Sequence, residues 1–158
     1  MRRVKEVIAF LELVAGAWGA VIGLLLIPKV SGAFLLLPFL VMALFAFFGI
    51  SGLLLYREHP LGRPLSMASQ TLQIPVFFTP WGGYYCIGGA GLRVTLAADG
   101  SLGSYVHLGS QLHVQWTAEP YITAVGVNVV AVLLLALLVV YRPLSDARGS
   151  PRPAEGAA

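Results

Sequence analysis

Two long apolar runs open the chain, and the pattern changes after residue 57 to short alternating segments before a last apolar run begins near residue 121. Residues 7–27 and 33–56 each supply the roughly 20 apolar positions that a helix needs to cross a bilayer. Pro28, Lys29, Val30, Ser31 and Gly32 between them are turn formers. This predicts a transmembrane helical hairpin. A third span is predicted over 121–141, opened by Glu119-Pro120 and closed by Arg142-Pro143. Tyr56, Tyr121 and Tyr141 fall at the expected water interfaces, where an amphipathic ring is favoured. Beyond Pro143 the chain is mainly Ser, Pro, Gly, Ala and Arg, a composition that predicts a disordered tail over 143–158 because it cannot bury enough apolar surface to fold.

The middle of the chain follows a different period. Residues 65–92 carry no charge and are long enough for a fourth span, but they include Gln70, Gln73, Pro75, Pro80, Gly82, Gly83, Gly88 and Gly89, which act against a lipid-exposed helix. Leu72, Ile74 and Val76 alternate with Thr71, Gln73 and Pro75, the two-residue rhythm of a strand. Farther on, Leu92, Val94 and Leu96 alternate with Arg93, Thr95 and Ala97, and Asp99-Gly100 marks a turn. A three-residue loop there pairs Leu96 with Leu102 and Leu92 with Val106. A second loop at Gly109-Ser110-Gln111 is expected to pair Val106 with Val114. Leu92, Val94, Leu96, Leu102, Val106, Leu108, Leu112, Val114 and Trp116 then share one face, and Arg93, Thr95, Tyr105, His107, His113, Gln115 and Thr117 the other. The apolar face is expected to pack on the earlier strands or on the helix ends.

The fold class this predicts is membrane α+β. Three transmembrane helices, as a hairpin over 1–56 and a C-terminal helix over 119–142, enclose a strand-rich extramembrane insert over 57–118 that holds a small antiparallel β-meander.

Composition agrees with lipid as solvent: 58% of residues are hydrophobic and 11% charged, and the mean hydropathy is +0.83, against roughly 45–50% apolar residues in soluble domains. The net charge of +3 does not imply nucleic acid, because Arg2, Arg3, Lys5, Arg57, Arg63, Arg142, Arg148 and Arg152 flank the spans rather than forming a face. A cleaved signal is not expected, since Glu12 interrupts the first run and apolar character continues to Ile27. The basic N-terminal cluster predicts a multi-pass protein of the cell membrane with a cytoplasmic N-terminus. Three spans place the C-terminus across the membrane. A fourth span would gather the flanking arginines on the cytoplasmic side, but the Pro and Gly positions weigh more directly against it.

Candidate chemistry is sparse. Glu12 lies inside the first span, where an ionisable residue is costly to bury. With three spans it shares a depth with Ser51 and Asn128, and the three are expected to form an intramembrane polar layer. Gly16, Gly19 and Gly23 form a small-residue stripe that suits close helix packing, against the second span before a second copy. His107 and His113 fall opposite each other in the expected second hairpin and are weak metal candidates without a third ligand. The single cysteine, Cys86, excludes an internal disulfide. Gly88, Gly89 and Gly91 lack the Lys and Ser or Thr of a phosphate loop, and Ser66 and Ser69 lack a His and Asp arrangement for hydrolysis. No cofactor is expected. The function predicted is that of a non-enzymatic membrane subunit or accessory protein. Its partners are the lipid bilayer and another membrane protein or a second copy. The alternative is a membrane-embedded enzyme or oligomeric transporter that uses Glu12 or the histidine pair.

Overall fold

A computed structural model describes residues 2–115 and 123–140, and the architecture is α+β with four helices and one antiparallel sheet among them. The apolar runs become α1 (Arg2–Leu26) and α2 (Leu36–Tyr56), joined by two short 3-10 turns. Both helices are long and apolar enough to cross a membrane. They pack closely because glycine lets the backbones meet: a Cβ on Gly16 would fall 2.6 Å from the Gly49 Cα, and one on Gly52 would fall 2.7 Å from the Ala9 carbonyl oxygen. Gly19 faces Phe45 and Gly23 faces Met42, so the small-residue stripe of α1 is filled by α2. Lys5, buried in the first turns of α1, pairs with Glu58 just after α2.

The segment after α2 departs from the expected strand. Gly62–Gln73 is a helix, α3, and Ser66, Ser69, Gln70 and Gln73 are its buried residues together with Gly62. Those polar positions repeat at helical spacing, which the alternation of Leu72, Ile74 and Val76 concealed. Strand structure begins only at Pro75, where proline can no longer continue the helix.

Six strands follow: β1 (Pro75–Thr79), β2 (Gly82–Ile87), β3 (Ala90–Ala97), β4 (Leu102–Leu108), β5 (Gln111–Gln115) and β6 (Ala124–Asn128). Their order is β4-β3-β6-β1-β2-β5, so the expected meander is corrected. The β3–β4 hairpin has the expected register, with Leu96 opposite Leu102 and Leu92 opposite Val106. The expected β4–β5 hairpin does not form. β5 pairs with β2, setting Ile87 opposite Gln111, and this continues the register of Ala90 opposite Leu108. Strands β2–β3 and β4–β5 are thus one long hairpin bent at 88–89 and 109–110. Gly89 and Gly109 sit at the bend with φ of +84° and +108°, a conformation that suits glycine, and the Gly109 N–H donates to the Gly89 carbonyl at 2.7 Å.

Bending folds the sheet on itself. Arg93 on β3 reaches to 4.2 Å from the ring centre of Tyr85 on β2, although a flat sheet would put these strands about 14 Å apart. The inner face carries Val76, Phe78, Tyr85 and Ile87 as an apolar cluster, with Arg93, Tyr105, His107, His113 and Asn128 on the same side by register. The two face sets among the described strand residues are those expected from alternation, because the bend does not break the parity of either strand. Their packing differs. Cys86, Tyr84 and Leu112 on this side pack against α1 and α2, around Ala15, Phe45 and Phe48. Phe77, Leu96, Leu102, Val106, Leu108, Val114, Val125 and Val127 are exposed on the outside.

The last helix is also corrected. Residues 124–128, expected within a span, form β6, and α4 is described over Val129–Val140. Its final turn, not its start, lies beside the first turns of α1: Leu138 is buried with Ile8, Ala9 and Leu55. Arg63 of α3 ties to it, donating from Nε to the Leu138 carbonyl at 2.9 Å and from Nη2 to the Val139 carbonyl at 3.0 Å. The expected helix start at 119–121, Trp116, Thr117, Tyr141 and the tail lie outside the described residues.

Candidate functional site: the buried Glu12 cluster

Helix α1 turns Ile8, Ala9, Glu12 and Ala15 inward, a three- and four-residue spacing that puts the carboxylate in the seam with α2 and α3. Glu12 is 1% exposed. Gln70 Nε2 donates to its Oε1 at 2.9 Å, and the Ser66 hydroxyl donates to its Oε2. The Ser51 hydroxyl lies 3.1 Å from that same oxygen and 2.8 Å from the Phe48 carbonyl, so its one proton is shared between them. Three helices therefore converge on one side chain. A buried carboxylate needs several donors to offset lost hydration, and the short polar residues of α2 and α3 provide them at contact distance.

The polar seam continues toward the sheet. The Gln73 amide donates to the Ser69 carbonyl at 3.3 Å, and its Oε1 accepts from the Gly88 N–H at 2.7 Å. Ser110 donates to the Ala15 carbonyl at 2.9 Å from the other arm of the bend. The bent hairpin is thus tied to α1 and α3 by hydrogen bonds as well as by the Cys86 and Leu112 contacts.

Of the expected polar layer, the structure joins Glu12 with Ser51 and leaves Asn128 apart. Asn128 is fully buried, but its Oδ1 accepts from the Leu92 N–H at 3.3 Å and its main-chain N–H donates to the Ile74 carbonyl at 2.9 Å. The expected depth match assumed a continuous third helix starting near α1, and β6 removes that assumption. His107 and His113 are not opposite each other: His107 pairs with Gly91 and His113 with Tyr85, on opposite edges of the sheet. Among the described residues no three His, Cys, Asp or Glu side chains cluster as metal ligands would. Ser66, Ser69, Gln70 and Gln73 are the site residues that sequence reasoning missed. Their i, i+3, i+4, i+7 spacing was the available clue.

Elsewhere, burial pushes the Cys86 thiol up to about 12, only partly opposed by a hydrogen bond with Tyr84, so it is a neutral core group at physiological pH. Burial likewise raises Tyr84 to about 12, with Cys86 adding to the effect. Asp99 is held below its ordinary range by hydrogen bonds from Ser101, as befits a turn residue. Comparison of the chain with protein-family models, with curated proteins and with solved structures gave no match.

Proposed function

We propose that this chain is a multi-pass integral membrane protein, N-terminus cytoplasmic, that acts as a non-enzymatic subunit or accessory component rather than as a catalyst. One observation carries the reading: the buried face of α3 is polar, the inverse of a surface helix in water. Helix α3 buries Ser66, Ser69, Gln70 and Gln73 while Leu72, and Leu61 just before the helix, are exposed. The inner face of the sheet holds Arg93 and Asn128 beside the apolar cluster of Val76, Phe78, Tyr85 and Ile87, and Leu102, Val106 and Leu108 lie outside. Lipid beside α3, with its polar groups paired inside, accounts for that face. The lengths and apolar character of α1 and α2 support the same placement. In this arrangement α3 is a half-length helix entering beside α1 and α2 from the cytoplasmic side, and Val140 lies on the side of the N-terminus.

The closure of the Glu12 cluster supports a structural rather than a catalytic role for it. Both carboxylate oxygens accept from side chains of the same chain, and the site is sealed. The apolar outer surfaces of α1, α2 and the sheet are then what the protein presents to lipid and to a membrane partner or a second copy. A second reading, proton-linked chemistry at Glu12, is favoured by the burial of an ionisable group among three helices.

The membrane reading is tested by alkaline carbonate washing of membranes from cells expressing the full chain, followed by cysteine labelling in a Cys86→Ser background. Retention in the pellet is expected. Leu72→Cys should label poorly with a water-soluble maleimide and well with a lipid-soluble one, and Asp99→Cys should label with both. Release by carbonate, or equal aqueous labelling at both positions, would overturn it. Glu12→Gln separates the two functional readings: normal assembly with loss of a proton-dependent activity favours the second.

A further inference from the structure

The inner face of the bent sheet holds polar groups that the Glu12 cluster does not use. Arg93 on β3 is half-buried, with its guanidinium carbon 4.2 Å from the Tyr85 ring centre and 4.9 Å from that of Tyr105. These rings are themselves backed by imidazoles, His113 stacked on Tyr85 at 5.1 Å and 8°, and His107 on Tyr105 at 6.2 Å and 25°. Ring contacts engage the guanidinium through its flat face and leave its N–H edge for acceptors. Among the described residues no hydrogen bond or ion pair uses that edge.

A second, independent observation lies across the ladder. Asn128 on β6 is the register partner of Arg93 on the same face and is fully buried. Its Oδ1 is occupied by the Leu92 N–H, yet its Nδ2 has no partner. A buried amide donor left open is unusual and calls for an acceptor. Open donors on adjacent strands, one of them a permanent cation held between rings, suit one kind of ligand, an oxygen-rich anion.

We propose that the inner face at Arg93 and Asn128 is a binding site for a phosphate-type oxyanion, with Arg93 as the charged anchor and Asn128 as a neutral donor. The guanidinium fork matches two oxygens of a phosphate. A lipid phosphate is one source, since the outer face of the same strands, at Leu96, Leu102 and Val106, is exposed and apolar and could lie along acyl chains. A free phosphate compound is the other. Only the lipid source rests on the membrane reading above; the anion site stands on the two open donors.

The test uses the full chain purified in dodecyl maltoside, titrated with dioctanoyl phosphatidic acid, with inorganic phosphate, and with dioctanoylglycerol, which has the same tails and no phosphate. The thermal unfolding midpoint is read, because a ligand that binds the folded state raises it. A rise with phosphatidic acid but not with dioctanoylglycerol supports the site, and a matching rise with inorganic phosphate assigns it to free phosphate groups as well. Arg93→Gln should weaken binding about tenfold or more through loss of a charged hydrogen-bonding partner. Should that variant fail to fold, Arg93→Lys and Asn128→Asp carry the same test: the first keeps the charge without the fork, and the second keeps the shape and the Oδ1 acceptor while repelling an anion. Both should weaken binding. An equal rise with dioctanoylglycerol, no rise with either phosphate probe, or unchanged binding in the folded variants would overturn the proposal. Failure of carbonate retention would remove the lipid source and leave the inorganic phosphate arm decisive.

Discussion

Removing the Glu12 carboxylate is the most informative perturbation of the core. Glu12→Ala would leave the Gln70 amide and the Ser66 hydroxyl without their acceptor inside a closed seam, while Ser51 would keep the Phe48 carbonyl. Each buried donor left unsatisfied costs about 1–3 kcal/mol, so two cost about 2–6 kcal/mol before the cavity is counted. In hydrocarbon the lower part of that range applies, because interhelical hydrogen bonds there average nearer about 0.6 to 2 kcal/mol. We therefore expect Glu12→Ala to destabilise the protein by about 2–4 kcal/mol. Glu12→Gln should cost about half as much, since one oxygen remains to accept while the new amide meets a donor. Reversible unfolding of the full chain in mixed micelles, followed by helical circular dichroism, measures both. A cycle with Ser66→Ala should show coupling of about 1 kcal/mol between the two sites. Wild-type stability in Glu12→Ala, or a larger loss in the Gln variant than in the Ala variant, would refute the view that these donors hold the three helices together.

Other outcomes follow from the same packing. Gly16→Ala should destabilise by about 2 kcal/mol in the same unfolding assay, more than Gly23→Ala, because the new methyl at residue 16 meets the Gly49 backbone whereas at residue 23 it meets the flexible Met42 side chain. Arg63→Met should cost about 1 kcal/mol and increase amide exchange around Leu138, because it removes the two hydrogen bonds that tie α3 to the Leu138 and Val139 carbonyls. Cys86 should resist a thiol reagent at pH 8 in the folded chain and react once denatured, since it is buried and its thiol is pushed up to about 12. That raised value also fixes a pH dependence: an unfolded thiol ionises from about its ordinary 9.0 while the folded one does not until about 12, so stability is level below pH 9 and falls as pH rises toward 12. Cys86→Ala should flatten that decline, with Tyr84 accounting for what remains above pH 10.

Local patterns in the sequence were enough to determine α1, α2, the β3–β4 turn and the division of strand residues into two faces. An apolar run of helical length, an Asp-Gly turn and a two-residue alternation each act over a few neighbours, and parity survives any bend that inserts no residue. Glu12 and Ser51 could be placed at one depth because both lie on long continuous helices of a tight hairpin. What only the tertiary structure decided is which surfaces meet. Residues 62–73 contain polar groups at helical spacing and apolar groups at alternating positions, and the bonds from Ser66 and Gln70 to Glu12 give the helix its buried face. Residues 124–128 run without a break into the apolar helix that follows, and they form a strand because β1 and β3 offer open edges on both sides. That choice shortened α4, reversed the end of it that lies beside α1, and moved Asn128 from the Glu12 layer to the sheet. Strand order is likewise a long-range matter: the residues at 88–89 and 109–110 can form two turns or one bent hairpin, and the pairing of β2 with both β1 and β5 selects the bend.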